Sequence, residues 1–298
     1  MRFWKWCFLG MVATLLLMAA ANRAWAQSLN WQGQDGIFIT PVAYAVESHN
    51  KNFGLPIVAY HYFDGGEVLG GFHQLSVTMG ALNRIEFGYT RTLHHEGNTP
   101  GLSPLWDGGF NTFHAKVNVV TERRAWRPAL SLGFVARTQV HNVGGVILGQ
   151  DTHNADFYAV VTKTVTQIRY LPLVFNAGIR ATNASLMGLA GNAPGYQGRA
   201  FGAFAFSLRG PKTTTILLGS EFQQEPRHVQ GLPDAVIPTT ITYVARFMPA
   251  GAFPLRGWTS ENPKISIDFG IAQVAGNIMP GVDLRIRKQY ALGITYGF

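Results

Sequence analysis

The sequence predicts an all-β protein, a transmembrane antiparallel β-barrel of about 12 strands that follows a cleaved signal peptide. Three observations predict this fold class. The last residues of the chain alternate apolar with polar or small side chains and end on Phe298, the amino terminus carries an export signal, and stretches further up the chain repeat the alternation. Because successive residues of a strand point to opposite faces, the alternation gives each strand one apolar and one polar face.

The amino terminus has the parts of a secretory signal peptide. Arg2 and Lys5 precede an apolar run at positions 8–21, and Ala24-Trp25-Ala26 supplies the small residues of a cleavage site. A membrane anchor is the less favoured alternative, because the run is shorter than the roughly 20 apolar residues that a spanning helix needs. Cys7, the only cysteine, would leave with the signal.

The composition favours strands and turns over a charged soluble surface. The chain contains 34 Gly, 20 Phe and 10 Tyr, and only 13% of its residues are charged. Hydrophobic residues make up 47%, yet they form no second run of helix-spanning length, which is typical of apolar side chains spread over strands. The formal net charge of +8 comes without long basic runs, so we expect no nucleic-acid partner.

The stretch from Val282 to Phe298 predicts one long membrane strand. Its expected lipid-facing set is Val282, Leu284, Ile286, Tyr290, Leu292, Ile294, Tyr296 and Phe298, and its opposite face begins with Asp283, Arg285 and Arg287. This stretch resembles the terminal strand of Gram-negative outer-membrane β-barrel proteins. The resemblance implies a membrane-insertion signal, read by the barrel-assembly machinery, at Tyr290, Leu292, Ile294, Tyr296 and Phe298.

From Phe53 onward the same alternation predicts about 12 strands. Ile85 and Phe87, for example, alternate with Arg84 and Glu86. Short connections are expected at 81–83, 121–127, 169–172 and 209–212, and longer loops at 94–108, 141–154, 184–198 and 225–238, as in bacterial barrels. The connection at 249–263 is long where a short one is expected, which indicates an extra element or a strand count that is off by one pair. A soluble β-sandwich or propeller is less favoured, because its outward face should be charged.

Residues 27–52 do not alternate, and a lead-in, a plug and a first short strand remain open for them. Their Gly36-Ile37-Phe38-Ile39-Thr40-Pro41, with the later Leu82-Asn83-Arg84-Ile85-Glu86-Phe87-Gly88-Tyr89, is similar to the openings of YjbH-like and related uncharacterised outer-membrane barrel families. The predicted organisation is a signal peptide at 1–26, a lead-in or plug segment at 27–52 and an outer-membrane β-barrel at 53–298.

The charged residues on the predicted inward faces are candidates for lining the lumen. They are Arg84, Glu86, Lys116, Arg137, Arg180, Glu221, Arg246, Asp268, Arg285 and Arg287. Cations outnumber acids in this set, which predicts a cationic lumen. Two interpretations remain open: a charge network that fills and rigidifies a narrow lumen, and a pore or cavity that favours anions.

The histidines do not form a strong catalytic or metal site. His94-His95-Glu96 lacks the helical spacing of a zinc-protease motif, and His153 with Asp151 and Asp156 has no nucleophile beside it. We therefore expect no enzyme, no catalytic residue, no metal site and no cofactor.

The function that follows from these observations is a pore or transport-type barrel in the cell outer membrane. Its expected partners are outer-membrane lipid, the barrel-assembly machinery and small anionic solutes. Two alternatives remain: a structural or accessory barrel associated with exopolysaccharide export, as the YjbH-like opening implies, and a barrel hydrolase with its site at the rim.

Overall fold

The computed structural model describes residues 28–48, 52–95, 108–123, 126–138, 153–168, 171–211, 214–249 and 265–298. Within these ranges, twelve antiparallel strands close into one barrel. The predicted signal peptide lies outside the described residues, as does almost all of the connection at 249–263. The strands are β1 Ile57–Asp64, β2 Gly71–Ala81, β3 Ile85–His95, β4 Phe110–Val120, β5 Ala129–Thr138, β6 Asn154–Val165, β7 Leu173–Ala184, β8 Asn192–Arg209, β9 Thr215–Gln223, β10 Thr240–Met248, β11 Ile265–Gln273, β12 Ala275–Met279, β13 Val282–Ile286 and β14 Gln289–Gly297.

The barrel closes between its first and last wall strands. β1 pairs with β14, with Ala59 opposite Thr295 and Tyr62 opposite Leu292. β11 pairs directly with β14, while β12 and β13 form a separate two-stranded hairpin. A closed wall leaves no strand edge unpaired, and this is the condition for crossing a membrane with strands.

The outer face of the wall is apolar. Phe157 in β6, for example, is exposed while its neighbours Asp156 and Tyr158 are buried. Outward-facing exposed residues include Leu75, Phe87, Phe113, Leu132, Phe175, Ile179, Phe204, Tyr243, Phe269 and Ile294. Among the described residues no helix is long and apolar enough to cross a membrane. The predicted antiparallel β-barrel of about 12 strands is confirmed.

The two ends of the barrel differ in their connections. The turn end, where β1 begins and the chain finishes at Phe298, carries the predicted short connections, such as the one from Ala81 to Ile85. The loop end carries the connections predicted to be long, whereas the long connection at 249–263 joins β10 to β11 at the turn end. A one-turn helix, α1 (Gly66–Leu69), a 3₁₀ turn (Ser185–Gly188) and the β12–β13 hairpin all lie at the loop end.

The terminal stretch is not one strand, so the prediction of a continuous strand from Val282 to Phe298 is wrong in its first half. Arg285 and Lys288 have φ angles of 54° and 60°, in the left-handed region that interrupts an extended chain. As a result, Leu284 and Ile286 are buried rather than exposed to lipid. From Tyr290 onward the predicted phase holds: Tyr290, Leu292, Ile294, Tyr296 and Phe298 share the outer face.

Candidate functional site inside the barrel

Residues 28–48, named here the inner segment, lie within the barrel and are almost entirely buried. The segment forms no regular strand or helix, although its backbone makes some hydrogen bonds of its own, such as Asn30 N–H to the Gln34 carbonyl oxygen (2.7 Å) and Val42 N–H to the Asp35 carbonyl oxygen (3.1 Å). An irregular chain away from water needs partners for the rest of its backbone groups. Polar side chains of the barrel wall bind many of them.

The inner segment enters and leaves at the same end of the barrel. The Ser28 hydroxyl lies 2.8 Å from that of Ser266, at the turn-end start of β11. At the other end of the segment, the Ser48 hydroxyl donates to Asn83 Oδ1 (2.8 Å), in the turn between β2 and β3. The segment is therefore a loop inserted into the barrel from the turn end.

Small hydroxyl residues of the wall face the inner segment and leave room for it. Thr78 donates to the Gly33 carbonyl (2.6 Å), and Ser131 donates to the Ala43 carbonyl (2.7 Å). Gly33 has a φ of 84°, and a Cβ there would lie 2.4 Å from the Thr90 hydroxyl, so both the conformation and the space require glycine. At these positions the chain of the inner segment, rather than long wall side chains, fills the interior.

Glu221 of β9 binds the backbone of the segment directly. Its carboxylate accepts hydrogen bonds from the backbone N–H groups of Phe38 (3.1 Å), Ile39 (2.9 Å) and Thr40 (2.9 Å), and from the Thr40 hydroxyl (2.6 Å). Successive N–H groups that converge on one anion form a nest. The turn requires Gly36, because a Cβ at that position would lie 2.4 Å from the Thr40 carbonyl oxygen.

The side chains of the same turn are apolar anchors. Ile37, Phe38 and Ile39 are all buried in the largest hydrophobic cluster. The Phe38 ring meets the His61 ring edge-on, with centroids 5.8 Å apart. Burial of a side chain of this size contributes roughly 1.5–3 kcal/mol. The turn is therefore held by its backbone on one side and by its side chains on the other.

Arg246 connects the wall to the segment through an ion pair. Its Nε lies 2.7 Å from Asp268 Oδ1 and its Nη2 lies 3.0 Å from Asp268 Oδ2, so the pairing is bidentate. The same guanidinium donates to the carbonyl oxygens of Gly36 (3.0 Å) and Ile37. The Arg246–Asp268 pair is buried, and two carbonyl oxygens of the segment accept further hydrogen bonds from Arg246.

Lys116 and Glu86 form a second buried pair that holds the segment. Lys116 Nζ lies 3.3 Å from Glu86 Oε1 and donates to the carbonyl oxygens of Asp35 and Val42, both at 3.1 Å. Glu86 accepts the backbone N–H groups of Asp35 (3.0 Å) and Val46 (3.1 Å). Each charge of the pair therefore contacts both its partner and the inner segment.

A third network lies toward the loop end. Arg137 Nη2 is 2.6 Å from Asp156 Oδ2, and Arg180 Nη2 is 3.2 Å from Glu225 Oε1. Glu225 also accepts the Leu186 backbone N–H (3.0 Å), which ties the 3₁₀ turn to this network. A small pocket beside Asp156 and Arg180 measures about 10 Å³, room for one water molecule at most. The inner segment and the charged side chains that bind it are buried within the described part of the barrel.

Apolar residues cover this end of the interior. They come from the 3₁₀ turn, the β9–β10 loop and the β12–β13 hairpin, and include Leu186, Met187, Val229, Ile237, Leu284 and Ile286, all buried. The backbone N–H of Val236 donates to the Ile278 carbonyl oxygen (2.7 Å), joining the loop to the hairpin. These contacts explain why the first half of the terminal stretch turns inward.

Seven of the ten predicted lumen residues lie buried inside the barrel: Glu86, Lys116, Arg137, Arg180, Glu221, Arg246 and Asp268. The other three lie elsewhere. Arg84 is exposed in the turn between β2 and β3, and Arg285, with its side chain 70% exposed, lies 3.6 Å from Glu67. Arg287 bonds Asp283 at 2.8 Å, and this hydrogen bond lowers the pKa of Asp283 below its ordinary value. Arg285 and Arg287 leave the lumen because the hairpin replaces the expected strand.

The buried charges of the described interior are not predominantly cationic. The cations are Lys116, Arg137, Arg180 and Arg246, and the acids are Asp35, Glu86, Asp156, Glu221, Glu225 and Asp268, which makes four against six. The prediction of a cationic excess relied on three arginines that lie outside the lumen. It also left out Asp35 and Glu225, because a lead-in segment or a polar loop gives no sequence signal that it folds inward, and Asp156, which lies at the start of β6 next to a predicted loop.

The histidine motifs have ordinary surroundings where they are described. The His94 ring nitrogen Nε2 lies 2.6 Å from the Leu69 carbonyl oxygen, at the loop end. Glu96 and Asp151 lie outside the described residues. No group of three or more His, Cys, Asp or Glu side chains in the described ranges could hold a metal ion.

The predicted insertion-signal residues lie together on the outer face of β14. The rings of Tyr296 and Phe298 meet edge-on with centroids 4.9 Å apart, at the turn end. Their recognition by the assembly machinery stays a prediction.

Comparison with known proteins gives one family and several structural likenesses. The KdgM porin has a TM-score of 0.45 and 9% sequence identity, over 81% of this chain and 99% of that chain, and a structure of the KdgM porin in complex with disordered oligogalacturonate gives the same values. The NanC porin in its rhombohedral crystal form also has a TM-score of 0.45 and 9% identity, over 82% of this chain and 98% of that chain.

A search of curated proteins gave no match. The likeness to YjbH-like barrels stays a prediction. The family described as "Protein of unknown function (DUF3034)" has a model that matches residues 70–246, from just before β2 to within β10. Because this match spans more than half of the chain, the protein belongs to the DUF3034 family.

Proposed function

We propose that the protein is a pore or transport-type barrel of the outer membrane, and that the inner segment is a plug that must be displaced before a solute passes. One observation carries the proposal. The lumen is filled by a separate irregular segment, whose neighbours in the wall, such as Thr78, Thr90 and Ser131, are small and polar. A wall with these inward residues would enclose a polar passage once the segment had left.

The geometry of the plug is compatible with reversible displacement. Both ends of the segment lie at the turn end, near Ser266 and Asn83, so it can withdraw without passing through the barrel. No ladder of the wall includes the segment, and the twelve-strand closure stays complete without it. The polar bonds that break can be replaced by bonds to water, which lowers the net free-energy cost of leaving.

We also propose that the barrel lies in the outer membrane. The apolar wall would contact outer-membrane lipid, and the outer face of β14 would be the surface that the assembly machinery recognises. A cationic lumen with anionic solutes does not form part of the proposal, because four buried cations stand against six buried acids in the described interior. The filled lumen also favours a second candidate, a permanently closed structural barrel.

Conductance of an opening variant separates the two candidates. Phe38→Ala with Ile39→Ala removes two buried anchors of the plug and leaves every wall residue unchanged. A core Phe→Ala change alone costs about 3–5 kcal/mol, so the plugged state should lose much of its stability. We expect the full-length variant to conduct in planar bilayers well above the wild-type protein.

The matched control is Phe157→Ala, which removes the same side chain from the outer wall and should conduct like the wild type. Gly36→Ala is a second opening variant that removes no apolar contact but forces the turn at Thr40 apart. Heat-modifiable migration in detergent gels verifies that each variant has folded. Folded opening variants that conduct no more than the wild-type protein would support the closed structural barrel instead.

A further inference from the structure

Glu221 differs from the other buried carboxylates of the described wall in having no cation beside it. Glu86 lies 3.3 Å from Lys116, Asp156 lies 2.6 Å from Arg137, and Asp268 lies 2.7 Å from Arg246. Glu225, in the β9–β10 loop, lies 3.2 Å from Arg180. The hydrogen bonds to Glu221 all come from the inner segment, at residues 38–40.

The register of the sheet explains this isolation. Ala203 of β8 and Thr242 of β10 stand opposite Glu221 on its two neighbouring strands, and neither carries a charge. Arg246, the next cation along β10, lies four residues beyond Thr242, about 13 Å of strand between the two α-carbons. Its guanidinium binds the Ile37 carbonyl oxygen, so the peptide unit of Ile37 and Phe38 lies between it and Glu221. Arg246 is already paired with Asp268.

Displacement of the plug would affect the buried charges unequally. Lys116 and Arg246 would lose the segment's carbonyl oxygens, but each would keep a carboxylate from the wall. Glu221 would lose its backbone N–H donors and the Thr40 hydroxyl and would keep no partner from the wall. A carboxylate in a narrow lumen then requires water or a cation as a replacement.

We propose that Glu221 sets the ion preference of the open barrel and that this preference is for cations, including solutes that carry an ammonium group. The inference rests on the proposed displacement of the plug. Carboxylates in a pore select cations because they replace part of the hydration shell of the ion. The paired charges contribute little to this preference, since each pair is neutral and stays in the wall.

The reversal potential of the opening variant under a KCl gradient tests this inference. We expect Phe38→Ala with Ile39→Ala to give a reversal potential of the sign that cation preference produces. Adding Glu221→Gln should move that potential to near zero while conductance persists. The matched control is Glu67→Gln, the same chemical change on an exposed side chain beside Arg285, which should leave the potential unchanged.

The outcomes distinguish this inference from the proposed function. A folded opening variant without conductance would overturn plug displacement itself. Conductance with anion preference, or a cation preference that persists after Glu221→Gln, would overturn the role of Glu221. Neither result would contradict the proposed displacement of the plug. Circular dichroism and heat-modifiable migration establish that the Glu221→Gln protein is folded before the comparison.

Discussion

Replacing Arg246 with methionine is expected to lower the free energy of unfolding by about 3–5 kcal/mol, because it leaves a buried carboxylate without its partner. Arg246 and Asp268 are only 2% and 1% exposed, and they pair through two hydrogen bonds. The change also leaves the carbonyl oxygens of Gly36 and Ile37 without a donor. Urea unfolding of the protein in lipid vesicles measures the loss.

Two further variants give this prediction its controls. Arg246→Met combined with Asp268→Leu removes both charges and should recover a substantial part of the lost free energy of unfolding, since no buried charge is then left without a partner. Lys163→Met breaks a partly exposed pair with Glu122 at the turn end and should cost no more than about 1 kcal/mol. If Arg246→Met cost as little as Lys163→Met, Asp268 would not be buried as described.

Leu292→Arg is expected to destabilise the membrane-embedded barrel by about 2–4 kcal/mol, the cost of a lipid-facing cation near the bilayer midplane. Leu292 lies in the middle of β14, with Tyr62 and Phe269 opposite it on the neighbouring strands. All three face outward, so an arginine there meets hydrocarbon. Folding yield and urea unfolding in lipid vesicles provide the measurement.

The controls use the same position and its neighbour. Leu292→Met keeps an apolar side chain of similar volume and should cost less than about 1.5 kcal/mol. Ala291→Ser points to the opposite, inner face, where Ala291 is 5% exposed, and we expect a smaller loss than for Leu292→Arg. Equal tolerance of Leu292→Arg and Leu292→Met would show that the outer face of β14 does not meet lipid.

The wall could be predicted from the sequence because its signal is local. Alternation such as Ile85, Glu86 and Phe87 fixes which side chain faces in, and the structure buries Glu86 accordingly. The β12–β13 hairpin could not be predicted in this way. Residues 282–286 continue the alternation of β14. The left-handed conformations that interrupt the extended chain occur at Arg285 and Lys288 rather than at glycine.

The inner segment gives a weaker sequence signal because its structure depends on distant residues. Many of its backbone bonds go to wall side chains such as Glu221 and Glu86, which are far away along the chain. The available clue was the apolar run at 36–40, which is too short and irregular for a wall strand. The predicted cationic excess is not found among the described buried residues, since the sequence shows Arg137 and Arg180 but only the fold shows that Asp156 and Glu225 neutralise them.

Thiol labelling inside the lumen tests most directly whether the inner segment closes the barrel. Ser131 is fully buried and its hydroxyl bonds the Ala43 carbonyl oxygen, whereas the adjacent Leu132 faces outward. With Cys7→Ser as background, Ser131→Cys and Leu132→Cys would each be exposed in lipid vesicles to a charged, membrane-impermeant thiol reagent. Each would be examined with and without the Phe38→Ala and Ile39→Ala changes.

We expect Ser131→Cys to resist the reagent when the plug is intact and to react when the anchors of the plug are removed, and we expect the reaction then to reduce conductance. Leu132→Cys should stay unreactive in both backgrounds, because hydrocarbon excludes the charged reagent. Equal labelling of Ser131→Cys with and without the anchors, whether high or absent, would contradict the claim that residues 28–48 close the barrel and can leave it.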